Sequence, residues 1–316
     1  MRWFETPTFD FLGKRKLAYT VSSILFLASL AIIFTKGLQY GIDFRGGKEF
    51  VYVFDAPVNT QDVRSFLTEP LGSSPEVKLF GSESEILIRT DNEATTDEVQ
   101  NLIEGAITAN LSGVSYSMEK SDSIGPRFAE DLKSAAAQSV IYAVVIIFIY
   151  ILIRFRKWTF SAGAVAALIH DVVITLGIFT LLSDMVSFNL LIDQNLIAAF
   201  LTIVGYSLND TVVVFDRVRE NLRRYKSYEL MDVLNKSLNE TLSRTMMTSV
   251  TTLLALVAIV MFGGAVLRDF ALAMIWGVMI GTYSSVFVAV GLLSRFDLKR
   301  SSLDDDGVDK PEYERP

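Results

Sequence analysis

Asp210 and Arg244 stand near the inner ends of two long apolar stretches, residues 196–215 and 247–262, where a charged side chain needs either a partner or a task. Read as antiparallel membrane helices, the two stretches bring the acid and the guanidinium to matching depth. Movement of a guanidinium relative to an acid in low dielectric changes the acid's proton occupancy, so the pair can serve a proton pathway. A static ion pair that locks the two helices is the competing reading, and the residues alone leave both open. Ser207, Asn209 and Thr248 supply polar positions beside that path, and Thr241, Arg244, Thr248 and Thr251 recur at three- and four-residue spacing as one stripe. His170 and Asp171, within 162–182, are a second candidate; being adjacent on a helix they are expected to point in different directions, each able to bond a neighbouring helix.

These residues must be held by elements that cross a bilayer. Residues 17–34, 139–153, 162–182, 196–215, 247–262 and 270–293 are each long and apolar enough, or nearly so, for the roughly 20 residues a spanning helix needs. The composition agrees, with 51% hydrophobic residues and 22 Phe in 316. Cysteine is absent and there is one histidine, which excludes disulfides, thiolate metal sites and histidine-cluster hydrolysis. No nucleic-acid partner is indicated, and the net charge of -7 says little about partners, because the basic residues gather at membrane edges.

Those edges give the topology. Lys14–Arg15–Lys16, Arg154–Arg156–Lys157, the run from Arg217 to Arg244, and Arg295 with Lys299 and Arg300 all fall on one side, the cytoplasmic side by the positive-inside rule. The expected organisation is a cytoplasmic N-terminus (1–16), a first helix that anchors and is not cleaved (17–35), an exported domain (36–137), a five-helix block (138–300) with a cytoplasmic loop at 216–243, and a disordered acidic cytoplasmic tail (301–316). Within the exported part, strands are expected at 49–54, 77–80, 85–89 and 114–118, and helices at 60–67 and 96–109 capped by Asn59 and Thr95. The fold class is thus a polytopic α-helical membrane protein of six transmembrane helices with one exported ferredoxin-like α+β domain between the first two.

Other motifs read as structural. Gly41–Gly47 spells GIDFRGG, whose Gly41, Gly46 and Gly47 allow close backbone approach while Asp43 and Arg45 clamp the exported domain to the membrane block. It lacks the lysine and hydroxyl of a phosphate loop. Gly277 and Gly281 make a four-residue small-residue spacing for helix packing, and Asp216 with Arg217 and Arg219 reads as an interfacial charge cluster.

Taken together, GIDFRGG, IGPRFAEDL at 124–132 (with Gly125, Pro126 and Arg127), LIHDV at 168–172, GYSLNDTVVVFDRVREN at 205–221, TLSRT at 241–245 and Arg268–Asp269–Phe270 ahead of the last span make the chain resemble the bacterial SecD/SecF family, related to the resistance-nodulation-division transporters. The likeness runs from about residue 41 to 296. It implies a six-helix half of a SecD–SecF complex in the bacterial inner membrane, completed by a SecD-like subunit. It also implies a role for Asp210 and Arg244 in the proton pathway, and exported domains that draw a translocating polypeptide from the SecYEG channel alongside auxiliary membrane proteins. ATP hydrolysis belongs to SecA, so no enzyme activity and no cofactor other than the coupling proton is expected. A structural accessory subunit, and below it a small-molecule or drug exporter subunit, are the alternatives.

Overall fold

The computed structural model describes residues 8–111, 113–183, 185 and 190–295; the expected tail at 301–316 lies outside them, as do Lys299 and Arg300. In chain order the elements are α1 (Arg15–Lys36), α2 (Ile42–Arg45), β1 (Gly47–Phe54), α3 (Thr60–Leu71), β2 (Glu76–Phe80), β3 (Ser82–Thr90), α4 (Thr96–Asn110) and β4 (Tyr116–Ile124). They continue with α5 (Pro126–Phe155), α6 (Trp158–Leu182), α7 (Gln194–Arg224), α8 (Leu230–Phe262) and α9 (Ala265–Ser284), the last prolonged by a π turn at Ser285–Ala289 and by Val290–Leu293. The six helices α1 and α5–α9 are long and apolar enough to cross a membrane.

Between α1 and α5 an antiparallel sheet of order β2-β3-β1-β4 carries α3 and α4 on one face, the ferredoxin-like arrangement. Its register explains the layers. Phe50 lies opposite Ile88 and Tyr52 opposite Ile86, and all four pack on Val63, Leu67, Val99 and Ile103 of the helices. The alternate residues face the other way, where Val51, Leu87 and Phe80 form a small cluster and Glu49 pairs with its cross-strand neighbour Arg89. Burial of that pair is compensated by Lys120 at 3.1 Å from Glu49 and Glu76 at 3.1 Å from Arg89. Burial alone would raise the Glu76 carboxyl, but Arg89, Lys78 and Arg45 together more than offset it and hold it below the usual range. Asn59 caps α3 by accepting from Gln61 N, and Thr95 forms a reciprocal capping box with Glu98.

The last strand differs from expectation, running over Tyr116–Ile124 and not 114–118. It is an edge strand with mostly exposed, polar side chains, so its alternation carries little apolar signal. It ends at Gly125, and Pro126 then starts α5 well before hydrocarbon depth.

GIDFRGG forms the joint between the two parts. Gly41 N donates to Ile192 O at 2.9 Å and Ile192 N to Gln39 O at 2.7 Å, a short parallel bridge to the segment entering α7. Asp43 Oδ2 accepts from Gln194 N at 2.9 Å while Asp193 Oδ1 accepts from Leu196 N at 2.7 Å, so two carboxylates cap one helix. Gly46 (φ 74°) and Gly47 (φ 113°) take left-handed backbone; a Cβ on the first would lie 3.0 Å from Pro126 Cα and on the second 2.8 Å from Thr90 O. Asp43 thus reaches the membrane block through Gln194 N. Arg45 does not: its nearest acid is Glu76 in the exported sheet, at 3.9 Å. Arg127 is exposed at the start of α5.

The membrane block has an inner and an outer core. At the cytoplasmic end Phe155 stacks on Phe160 at 5.0 Å, and Phe215 meets both edge-on, over Leu12, Val218 and Leu234. At the exported end Phe44, Phe200, Ile203, Met274 and Val278 pack together. Gly277 lies against Ile203 and Gly281 against Ser207, so α9 and α7 approach closely. The loop expected at 216–243 is corrected: α7 and α8 run on as helices, with a connection of only 225–229. They are joined by Asn221 Nδ2 donating to Ser237 Oγ (3.0 Å) and Glu240 Oε2 (2.7 Å), and by Arg217 with Glu240 (2.9 Å). Asp216 pairs across to Arg154 of α5 at 2.8 Å, in place of a cluster with Arg217 and Arg219. Phe9 and Phe11 bond through their main chain to Asn239 and Asn235 of α8.

Two outcomes follow for stability, both measured by thermal unfolding of the purified chain. Gly105 is exposed in α4 with open space where a Cβ would be, so Gly105→Ala raises the stability of the exported domain by about 0.5–1 kcal/mol, whereas Gly47→Ala lowers it. Burial, with Asp43 and Glu49 adding to it, pushes the Asp193 carboxyl up to about 6. A raised acid contributes stability that is complete below its unfolded pKa and is lost as pH rises through about 6. Asp193→Asn keeps a capping acceptor, and it should raise the melting temperature at about pH 8 and reduce the difference between about pH 5 and pH 8.

Candidate functional site

The polar centre of the membrane block is assembled from α6, α7, α8 and α9. Asp171 of α6 is 1% exposed, and its Oδ2 accepts from Ser207 Oγ of α7 and Ser284 Oγ of α9, both at 2.7 Å. Its Oδ1 lies 3.0 Å from His170 Nδ1. One carboxylate thus ties three helices, as suits a charge that has left water. His170 and Asp171 do not point wholly apart: the imidazole meets its neighbour's carboxylate, while Asp171 also bonds α7 and α9. The ring lies between Phe26 of α1 (6.4 Å) and Tyr283 of α9 (6.3 Å), and its buried Nε2 has no hydrogen-bond partner.

Asp210 is three residues beyond Ser207 on α7, about 4.5 Å further toward the cytoplasmic end, so the two acids occupy adjacent turns. It is 3% exposed, and unlike Asp171 it has a buried Oδ2 that accepts no hydrogen bond. Arg244 of α8 acts electrostatically on its carboxylate, and among the described residues no ion pair joins the two. Arg244 and Asn209 are exposed on the flank of the block. The threonine stripe is likewise only half realised: Thr241, Thr245 and Ser249 are buried, Ser249 meeting Thr282 at 2.7 Å, while Thr248 and Thr251 return their hydroxyls to carbonyls of their own helix. Among the described residues the buried acid and the exposed guanidinium thus lie on neighbouring helices with no ion pair between them.

Ser284 had no motif to announce it. It precedes the π turn Ser285–Ala289, which widens α9 where its serine reaches Asp171 and where Ala289 O approaches Gly163 of α6. Further out, Arg268 lies beside Gly81 and Glu85 of the exported sheet, a second contact between block and domain; Asp269 follows it on α9. Among the described residues no group of three His, Cys, Asp or Glu side chains is placed to hold a metal ion.

Comparison with known proteins places this arrangement. The C-terminal domain model of the protein export membrane proteins SecD/SecF matches residues 104–299, and the SecD/SecF GG motif matches residues 31–58, which contain GIDFRGG. A protein translocase subunit SecF from Rhodothermus marinus is 51% identical over 289 residues, covering 92% of this chain and 93% of that protein. The SecF of Vibrio alginolyticus is 37% identical, covering 96% and 94%. The crystal structure of a Thermus SecDF, a translocon-associated membrane protein, superposes with a TM-score of 0.83 at 35% identity over 92% of this chain. A SecDF in a super-membrane-facing form gives 0.67 at 33% over 96%. The chain spans 39% and 40% of those two longer chains. It therefore belongs to the SecD/SecF family of protein-export membrane proteins, as a member of the SecF type.

Proposed function

We propose that the chain is the SecF-type half of a two-half, proton-driven export complex, in which Asp210 and Arg244 respond to the proton and α7 carries the response to the exported domain. It is a non-catalytic transport subunit in the inner membrane. Its partners are a SecD-like half, the SecYEG channel with its auxiliary membrane proteins, and the translocating polypeptide after the ATP-dependent SecA step. The proton is the only coupling species invoked.

The observation that carries the reading is the unsatisfied Asp210 Oδ2, buried on the same helix whose outer end is clamped by Asp43. A proton on Asp210 and the approach of Arg244 are alternative ways to neutralise one buried carboxylate, so a change in one favours a displacement of the other. Asp171, fully bonded to α6, α7 and α9 partners, is the fixed part against which α8 moves. The flank of α8 that bears Arg244 also exposes Met247, Leu254 and Met261, a surface that suits a pseudo-symmetric second half. At the outer end, displacement of α7 reaches the exported sheet through the double cap and the Gly41–Ile192 bridge.

Two measurements test this. In membrane vesicles holding the assembled complex, Asp210→Asn abolishes the stimulation of export by a proton gradient while leaving assembly intact; retained stimulation would make Asp210 structural and move the titrating group to the partner half. Asp43→Ala, which leaves the membrane acids in place, is expected to keep assembly and lower gradient-stimulated export several-fold, and export equal to that of the unchanged chain would remove the GIDFRGG joint from the coupling path.

A further inference from the structure

The helix α5 is anchored most firmly at its two ends. At the cytoplasmic end Phe155 is stacked on Phe160 and Arg154 is paired with Asp216. At the exported end Leu132 and Ala136 pack with Phe44 of α2 against the outer core. Between them a partly enclosed cavity of about 290 Å³ opens among α5, α6 and α7. Its walls include Val140, Ala143 and Val144 of α5, Val172 of α6 and Leu201 and Val204 of α7. Tyr40 and Phe44 close the outer end, where Lys133 supplies the one charge in the lining, its Nζ 4.1 Å from the Tyr40 ring centre. Among the described residues no carboxylate lies within ion-pair distance of Lys133.

We infer that this groove holds one acyl chain of an outer-leaflet phospholipid whose phosphate is met by Lys133. Depth supports it: Lys133 to Val144 is eleven residues, about 16 Å along the helix, close to half of the ~30 Å hydrocarbon thickness. Charge supports it, since a cation at the headgroup level over a wholly apolar slot matches a phosphate above an acyl chain. A slot of that size fits a single acyl chain better than a helical segment of translocating polypeptide, which is about 10 Å across. The outward face of α5, with Ile141, Val145, Ile146 and Ile149 exposed, adjoins the slot and suits lipid contact. An acyl chain there would wedge α5, which leads directly from the exported domain through Gly125, against the helix that bears Asp210.

The test uses the assembled complex in bilayer discs of phosphatidylethanolamine and phosphatidylglycerol, with retained lipid counted by native mass spectrometry after detergent release. The unchanged chain is expected to retain phospholipid. Ala143→Phe, which fills the slot, removes it; Lys133→Gln lowers retention about five-fold; and Ile146→Phe, on the outward face, leaves it unchanged. A phospholipid with a photoreactive acyl chain labels peptides of α5, α6 and α7 in the unchanged chain, which keeps the proposal testable if Ala143→Phe fails to fold. Equal retention in all four proteins, labelling confined to other helices, or crosslinking of the slot to translocating polypeptide in place of lipid would each overturn it.

Discussion

A carboxylate placed in hydrocarbon has to be hydrogen-bonded, paired or protonated, and this chain contains two that meet the demand in different ways. Asp171 is satisfied locally by Ser207, Ser284 and His170, so it acts as a rivet through α6, α7 and α9. Asp210, one turn away on α7, has a buried oxygen without a donor and an arginine that acts on it from the neighbouring helix without closing on it. The rest of the block follows from that inequality. Close packing at Gly277 and Gly281 brings α9 near enough for Ser284 to reach Asp171, and the phenylalanine cluster around Phe215 fixes the cytoplasmic end of α7.

The same helix connects chemistry to the exported side. From Gln194 to Asp210 it spans about 24 Å as one continuous helix, so its outer cap and the buried acid share a single rod. Its outer end is tied by main-chain bonds and by Asp43 to the turn that leads into β1, and Gly46 and Gly47 let that turn lie directly on Pro126, where the chain returns to the membrane. The exported sheet therefore hangs from two adjacent strands of chain, both in contact with the membrane block. Its buried Glu49–Arg89 pair faces away from α3 and α4, on the side that also carries Lys120, near Asp193 of the joint.

Much of this could be read from residue order. The spans, the helices capped by Asn59 and Thr95, and the strands β1 and β3 carry clear periodic or capping signals, that of β2 is weaker, and Asp210 stands out because it interrupts an apolar run. What escaped has identifiable causes. β4 is a polar edge strand, so its alternation is muted. The inner halves of α7 and α8 are rich in charge because they leave the membrane while remaining helical, so their charge reads as loop. The contact of His170 with Asp171 depends on rotamers, to which helical spacing is blind. The contribution of Ser284 depends on a packing distance and a π turn that no local pattern encodes.

The central claim, that neutralisation of Asp210 repositions the exported domain through α7, is tested most directly by a distance. The chain has no cysteine, so spin labels at Ser74→Cys in the exported domain and Met185→Cys beyond α6 would be the only ones it carries. Pulsed electron resonance on the assembled complex then compares unchanged Asp210 with Asp210→Asn, a permanent mimic of the neutral acid. The account predicts a shifted or redistributed distance in the variant that is lost when Asp43→Ala is added. Identical distributions with and without the Asp210 charge would contradict it.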